Sequence, residues 1–150
     1  MIQIYTDGAL AYDSRLNQPG MDYTILGLTT TTGENKGGTA TIVLPPNHPA
    51  YNLFVAHRSI VTIYRDGVLR FRGRALYPTD DMLRRRTWII EGELCLLQDG
   101  LSRPYLYIDT PAAIFAEIIN DYNAQVDDYK RFTVGEVTVT DANDYVRLES

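Results

Sequence analysis

The sequence predicts a mainly β chain, α+β overall. An antiparallel, barrel-like β unit is expected over residues 1–105, and residues 106–150 supply a helix and strands that begin an incomplete second α+β unit. Three observations predict this. Ser59–Leu76 sets two β-rich runs around Asp66-Gly67, the strongest short-range hairpin signal a sequence offers. Short alternating runs separated by turn dipeptides recur from Ile2 to Leu97. After Asp109 the apolar period lengthens to that of a helix.

Ile2–Thr6 alternates and reads as a strand, and Ala9–Asp13 pairs back on it across Asp7-Gly8. Leu16–Met21 is a loop, and Tyr23–Thr32 is a strand rich in β-branched residues. Gly33–Gly38 is an exposed link before the strand Thr39–Leu44. The prolines of Pro45–Ala50 remove backbone donors and stop any ladder, so Tyr51–Arg58 is expected to be a short helix or turn. In the central hairpin, a three-residue loop Arg65-Asp66-Gly67 pairs Tyr64 with Val68. That register gathers Val61, Ile63, Leu69 and Phe71 on one face and Thr62, Tyr64, Arg70, Arg72 and Arg74 on the other. A two-residue turn mixes arginine with aliphatics, so the three-residue loop is expected. Leu83–Leu97 carries the next long strand, paired with Leu69–Leu76.

Thr110 is a suitable N-cap and Pro111 suits the first helical position. Ile114, Phe115, Ile118, Ile119 and Tyr122 then form one apolar stripe on a helix expected to end near Val126. Phe132–Thr140 returns to strand chemistry, broken at Gly135-Glu136, and Tyr145–Leu148 starts a further strand. About 45 residues is too little for a separate stable core, so either the helix packs on the β unit or the natural chain is longer. Because the chain ends in strand-like sequence, the longer chain is expected.

The 150 residues carry a net charge of −5, unevenly spread. From Arg58 to Arg86, eight arginines against Asp66, Asp80 and Asp81 leave +5, while six basic and sixteen acidic residues elsewhere leave −10. Such asymmetry marks a nucleic-acid surface or an interface whose two sides come from different subunits, and it also suits a solvated sheet face. No apolar run is long enough to span a bilayer, and the N-terminus lacks the pattern of a secretory signal. The single cysteine, Cys95, excludes an internal disulfide and reads as a buried small hydrophobe.

No catalytic, cofactor or metal constellation is legible. His48 lies among prolines with no acidic or hydroxyl partner at motif spacing and reads as a loop histidine, and nothing nominates His57, just before the hairpin, as a base. Asp141–Asp144 lacks the glycine and the bidentate glutamate of a calcium loop, and Gly33–Gly38 lacks the Lys-Ser/Thr of a phosphate loop. Tyr64 with Arg70 and Arg72 keeps open a carbohydrate- or nucleic-acid-binding module, against which the acidic balance of the chain counts.

Four stretches occur in a telling order: GGTATIVLPPNHPAYNLF (37–54), VTIYRDGVLRFRGRAL (61–76), IIEGELCLLQDG (89–100) and NAQVDDYKRFTVGEVTVTD (123–141). Together they resemble the N-terminal part of the phage tail hub proteins. These are the minor tail or prophage tail-endopeptidase-like proteins of siphophage tail tips, related to the baseplate hub of contractile tails. The resemblance covers nearly the whole chain. It implies a homotrimer made in the bacterial host cytoplasm and placed at the distal tip of the virion tail, where a ring of β-domains continues and closes the tail tube. It further implies contacts with the distal tail or tail tube protein and with tape-measure and tail fibre proteins. No membrane, specific nucleic acid or cofactor is expected as a partner. Peptidase or lysin activity would belong to C-terminal regions outside this chain. Tyr122 stands where many relatives carry a histidine before the asparagine. Arg70, Arg72 and Arg74, with Arg84, Arg85 and Arg86, are the expected interface residues, meeting acidic groups of an adjacent subunit.

Overall fold

The structure, a computed structural model, describes residues 1–16, 23–33, 36–101, 106–139 and 145–147. It comprises two compact units, Met1–Cys95 and Leu96–Ser150. The first is a seven-stranded antiparallel sheet in the order β2-β1-β5-β6-β7-β4-β3. Its strands are β1 (Ile2–Thr6), β2 (Ala9–Asp13), β3 (Gly27–Gly33), β4 (Lys36–Leu44), β5 (Ile60–Arg65), β6 (Val68–Asp80) and β7 (Arg86–Gly92). The sheet is mainly β as expected, but it is not closed into a barrel: β2 and β3 end it as free edges among the described residues.

One face of this sheet is buried. Ile4, Ala40, Ile42, Leu44, Val61, Ile63, Phe71, Ala75, Trp88 and Ile90 form the core, with Ala50 and Phe54 added from the turns after β4. The Phe54 and Trp88 rings lie 5.3 Å apart. The expected short helix at 51–58 is instead a series of turns.

Both hairpin turns use Asp-Gly with positive φ at each residue, 49° and 82° at Asp7-Gly8 and 54° and 78° at Asp66-Gly67. This is the two-residue turn whose twist matches paired strands. The expected three-residue loop is therefore corrected: Arg65 pairs Val68 and Tyr64 pairs Leu69. A bulge then skips Arg70 and brings Ile63 opposite Phe71. The bulge restores an apolar inner face without a longer loop, and it leaves Leu69 outside, 47% exposed.

β6 pairs β7 from Gly73↔Gly92 to Asp80↔Arg86, further along β6 than expected. The strand stops at Gly92, where a Cβ would collide with the Gly37 carbonyl. Glu93–Asp99 is a 3-10 helix rather than the end of a strand. Cys95 lies on it half-buried, not in the core.

In the second unit, β8 (Leu106–Ile108) pairs antiparallel with β9 (Tyr145–Arg147). The helix α1 (Pro111–Asn123) is capped by Thr110, whose hydroxyl accepts from the Ala113 N–H at 3.3 Å. It ends three residues before Val126: the Ala124 N–H still bonds the Asn120 carbonyl, but the Gln125 N–H bonds the Tyr122 carbonyl, a tighter i→i−3 bond that closes the last turn. The apolar stripe is divided: Ile114, Ile119 and Tyr122 are buried, while Phe115 and Ile118 are exposed. Of the expected strand Phe132–Thr140, residues 132–139 form no ladder among the described residues, and Thr140 lies outside them.

Candidate functional site

Opposite the core, the outer face of β5–β7 carries the arginines that the sequence singles out. Arg74 sits directly across from Glu91 and bonds it through Nε at 2.7 Å. Arg72 lies one pleat on and pairs with Glu93. The Arg74–Glu91 pair is 12% and 20% exposed and the Arg72–Glu93 pair 28% and 35%, so both form a partly sheltered cross-strand ladder.

Arg86 is still more committed. It grips Asp80 with two bonds of 2.8 Å, donates to Asn52 Oδ1 at 2.9 Å and lies 4.0 Å over the Tyr51 ring. The Asp80 carboxyl is held below the usual carboxylate range mainly by these Arg86 bonds, and the Arg86 guanidinium is raised in turn. Arg85 bonds Asp81. Arg84 adopts a left-handed conformation, and its carbonyl accepts from the Tyr51 hydroxyl at 2.9 Å. Thus Arg72, Arg74, Arg85 and Arg86 meet their acidic partners within the chain. Arg70 and Arg84 form no ion pair among the described residues.

Other sequence candidates prove structural. His48 is buried; its Nδ1 accepts from the Ala50 N–H at 3.1 Å, so Nε2 carries the proton toward the Tyr23 carbonyl 3.2 Å away. His57 is exposed and stacks edge-on with Tyr77, 4.4 Å between centroids. Asp128 pairs with Arg131. At the end of α1, the Tyr122 hydroxyl donates to the Leu96 carbonyl at 2.8 Å, and Asn123 bonds the backbone of Phe132 at 2.8 and 2.9 Å. These side chains hold the returning segment. Asp141–Asp144, and Glu34 and Asn35 of the glycine-rich link, lie outside the described residues. No group of three acidic, histidine or cysteine side chains is placed to hold a metal among the described residues.

Two concavities escape the sequence reading. In the first unit a cleft of about 540 Å³ is lined by Ile2, Leu28, Thr30, Thr32, Ile63, Tyr64, Arg65 and Arg70. Its walls come from β3 at one end of the sheet and from β1, β5 and β6 nearer the other, so the sheet curls until distant strands face each other across an open seam. Leu28 and Thr30 pair with the buried Ile42 and Ala40, and Ile2 pairs with Arg65. The cleft is therefore the far end of the core face, where aliphatics give way to threonine and arginine. The Thr29–Thr32 run and the placing of Arg65 two residues after Ile63 were its signal in the sequence. In the second unit a smaller groove of about 200 Å³ lies between Leu97, Leu101, Phe115 and Ile118.

No protein-family model matches the chain, and no curated protein matches it. Among the described residues no helix is long and apolar enough to cross a membrane.

Proposed function

We propose that this chain is an architectural subunit of a phage or prophage tail tip, a hub protein whose copies assemble as a trimeric ring that continues and closes the tail tube. The observation that carries this reading is the curled, open seven-stranded sheet with two free edges. Such a sheet offers main-chain pairing to neighbours, as a ring subunit requires. The ordered likeness of four stretches to tail hub proteins supplies the place in the virion. Neighbours in this reading are the distal tail or tail tube protein, the tape measure and the fibres.

The cis ion pairs refine the interface. Arg72, Arg74, Arg85 and Arg86 hold the sheet together, which leaves Arg70 and Arg84 as the cations best placed to meet an adjacent subunit. The same pairing serves the rival module poorly, because a carbohydrate or nucleic-acid platform on the Tyr64–Arg72 face needs guanidinium groups that are not already neutralised.

The test is end-specific binding. Tail tubes assembled from a purified phage tail tube protein of the same host are incubated with this chain and imaged by electron microscopy. Density at one tube end only is expected. Binding along the whole tube, or none, contradicts the reading.

A further inference from the structure

We infer that the free edge of β3 and the cleft beside it receive residues 133–139 of a second copy as an added strand. This rests on the assembly reading above and goes beyond it by naming both halves of the contact.

The receiving half is an unguarded edge. β3 reads Gly-Leu-Thr-Thr-Thr-Thr-Gly, and its four threonines are exposed. It carries no charge and no proline, the usual devices that keep an edge from pairing with another chain. Beside it the cleft has an apolar floor of Ile2, Leu28 and Ile63 and a cationic rim of Arg65 and Arg70. Arg65 is 73% exposed, and among the described residues its one ion pair is with the turn residue Asp66, at 4.0 Å.

The donated half is a strand without a sheet. Phe132 is anchored on its own chain by Asn123, and Thr133–Val139 beyond it is β-rich in sequence yet forms no ladder among the described residues. Val139 is 65% exposed, and a Cβ built on Gly135 would meet nothing. The stretch is seven residues long, as is β3, so an antiparallel or parallel pairing covers the edge. Its one charge, Glu136, is opposite in sign to the cleft rim. The units differ the same way: Met1–Cys95 has ten basic and nine acidic residues, and Leu96–Ser150 has four and ten. Like units repel or ignore each other, whereas unlike units of two copies attract. The contact is head-to-tail, so its repetition builds a ring where the rotation closes and a filament where it does not.

Hydrogen–deuterium exchange of the full chain across protein concentration tests this. Amides of 27–33 and 133–139 are expected to gain protection together as the oligomer forms. The pair Thr133→Pro and Val137→Pro removes two donors from one side of an extended strand, neither of which bonds to anything among the described residues. It is expected to abolish that gain and to move assembly to at least ~10-fold higher concentration, with β4–β7 protection unchanged. Arg65→Ser with Arg70→Ser is expected to weaken assembly in the same direction and to flatten its salt dependence. An oligomer in which neither segment gains protection overturns the strand contact and leaves the assembly reading standing. Protection of 133–139 in a dilute monomer also overturns it, since the segment then pairs within its own chain. A chain that stays monomeric at every concentration overturns both.

Discussion

The two units of this protein use their apolar residues in opposite ways. In Met1–Cys95 the inner positions of β1 and β4–β7 converge on one core, and most of the outer arginines are neutralised by acids on neighbouring strands or turns. In Leu96–Ser150 the helix buries only part of its stripe, and the most strand-like sequence forms no ladder among the described residues. The contrast separates a region whose apolar residues are covered by its own sheet from one whose apolar residues are only partly covered among the described residues.

Core substitution should show the difference most strongly. Ile90 is fully buried, and Ile90→Ala is expected to cost about 3 kcal/mol in urea unfolding. Phe115→Ala, at a position 46% exposed, is expected to cost under about 1 kcal/mol. Equal losses would erase the distinction. Next is the crossing of β4 and β7: Gly92→Ala drives a methyl into the Gly37 carbonyl and is expected to cost roughly 1–3 kcal/mol in the same assay.

The charge pairs give smaller effects, and they grade the outer surface. A double-mutant cycle on Arg74 and Glu91, largely sheltered, is expected to return a coupling of about 1 kcal/mol. The cycle on Arg85 and Asp81, 48% and 40% exposed, should return under about 0.5 kcal/mol and vanish in high salt. Matching values would mean that shelter by the sheet does not matter here.

A further effect is one of pH. Arg15 donates to Asp13 from its side chain at 2.8 and 3.1 Å and from its backbone N–H at 2.9 Å, which holds the Asp13 carboxyl well below the usual carboxylate range. A depressed folded-state pKa contributes stability that is full above the unfolded value and lost as pH falls toward the folded one. Asp13→Asn should therefore lower stability near neutrality and flatten its fall below about pH 4, read as Tm against pH. An unchanged acid limb would remove Asp13 from the account.

Much of the first unit is legible in the sequence because period-two alternation and Asp-Gly turns are local signals. The neighbours β1–β2, β5–β6 and β6–β7 follow from them. The register of the central hairpin does not, because a bulge at Arg70 lets a two-residue turn and a clean apolar face coexist. The 3-10 turn at Glu93 was hidden for another reason: Gly92 ends the strand through close backbone approach to Gly37, a contact distant in sequence. For the site, the arginine cluster is visible in composition, but its neutralisation by Glu91, Glu93, Asp80 and Asp81 depends on which strands lie side by side. The cleft at β3 was the least legible feature, since it exists only once the sheet curls.

The central claim, that this chain is a self-assembling subunit, is tested most directly by its solution mass, measured by light scattering across protein concentration and salt. The account predicts a rise from monomer to trimer with concentration, weakened by salt. A constant monomer mass up to the highest concentration would contradict it.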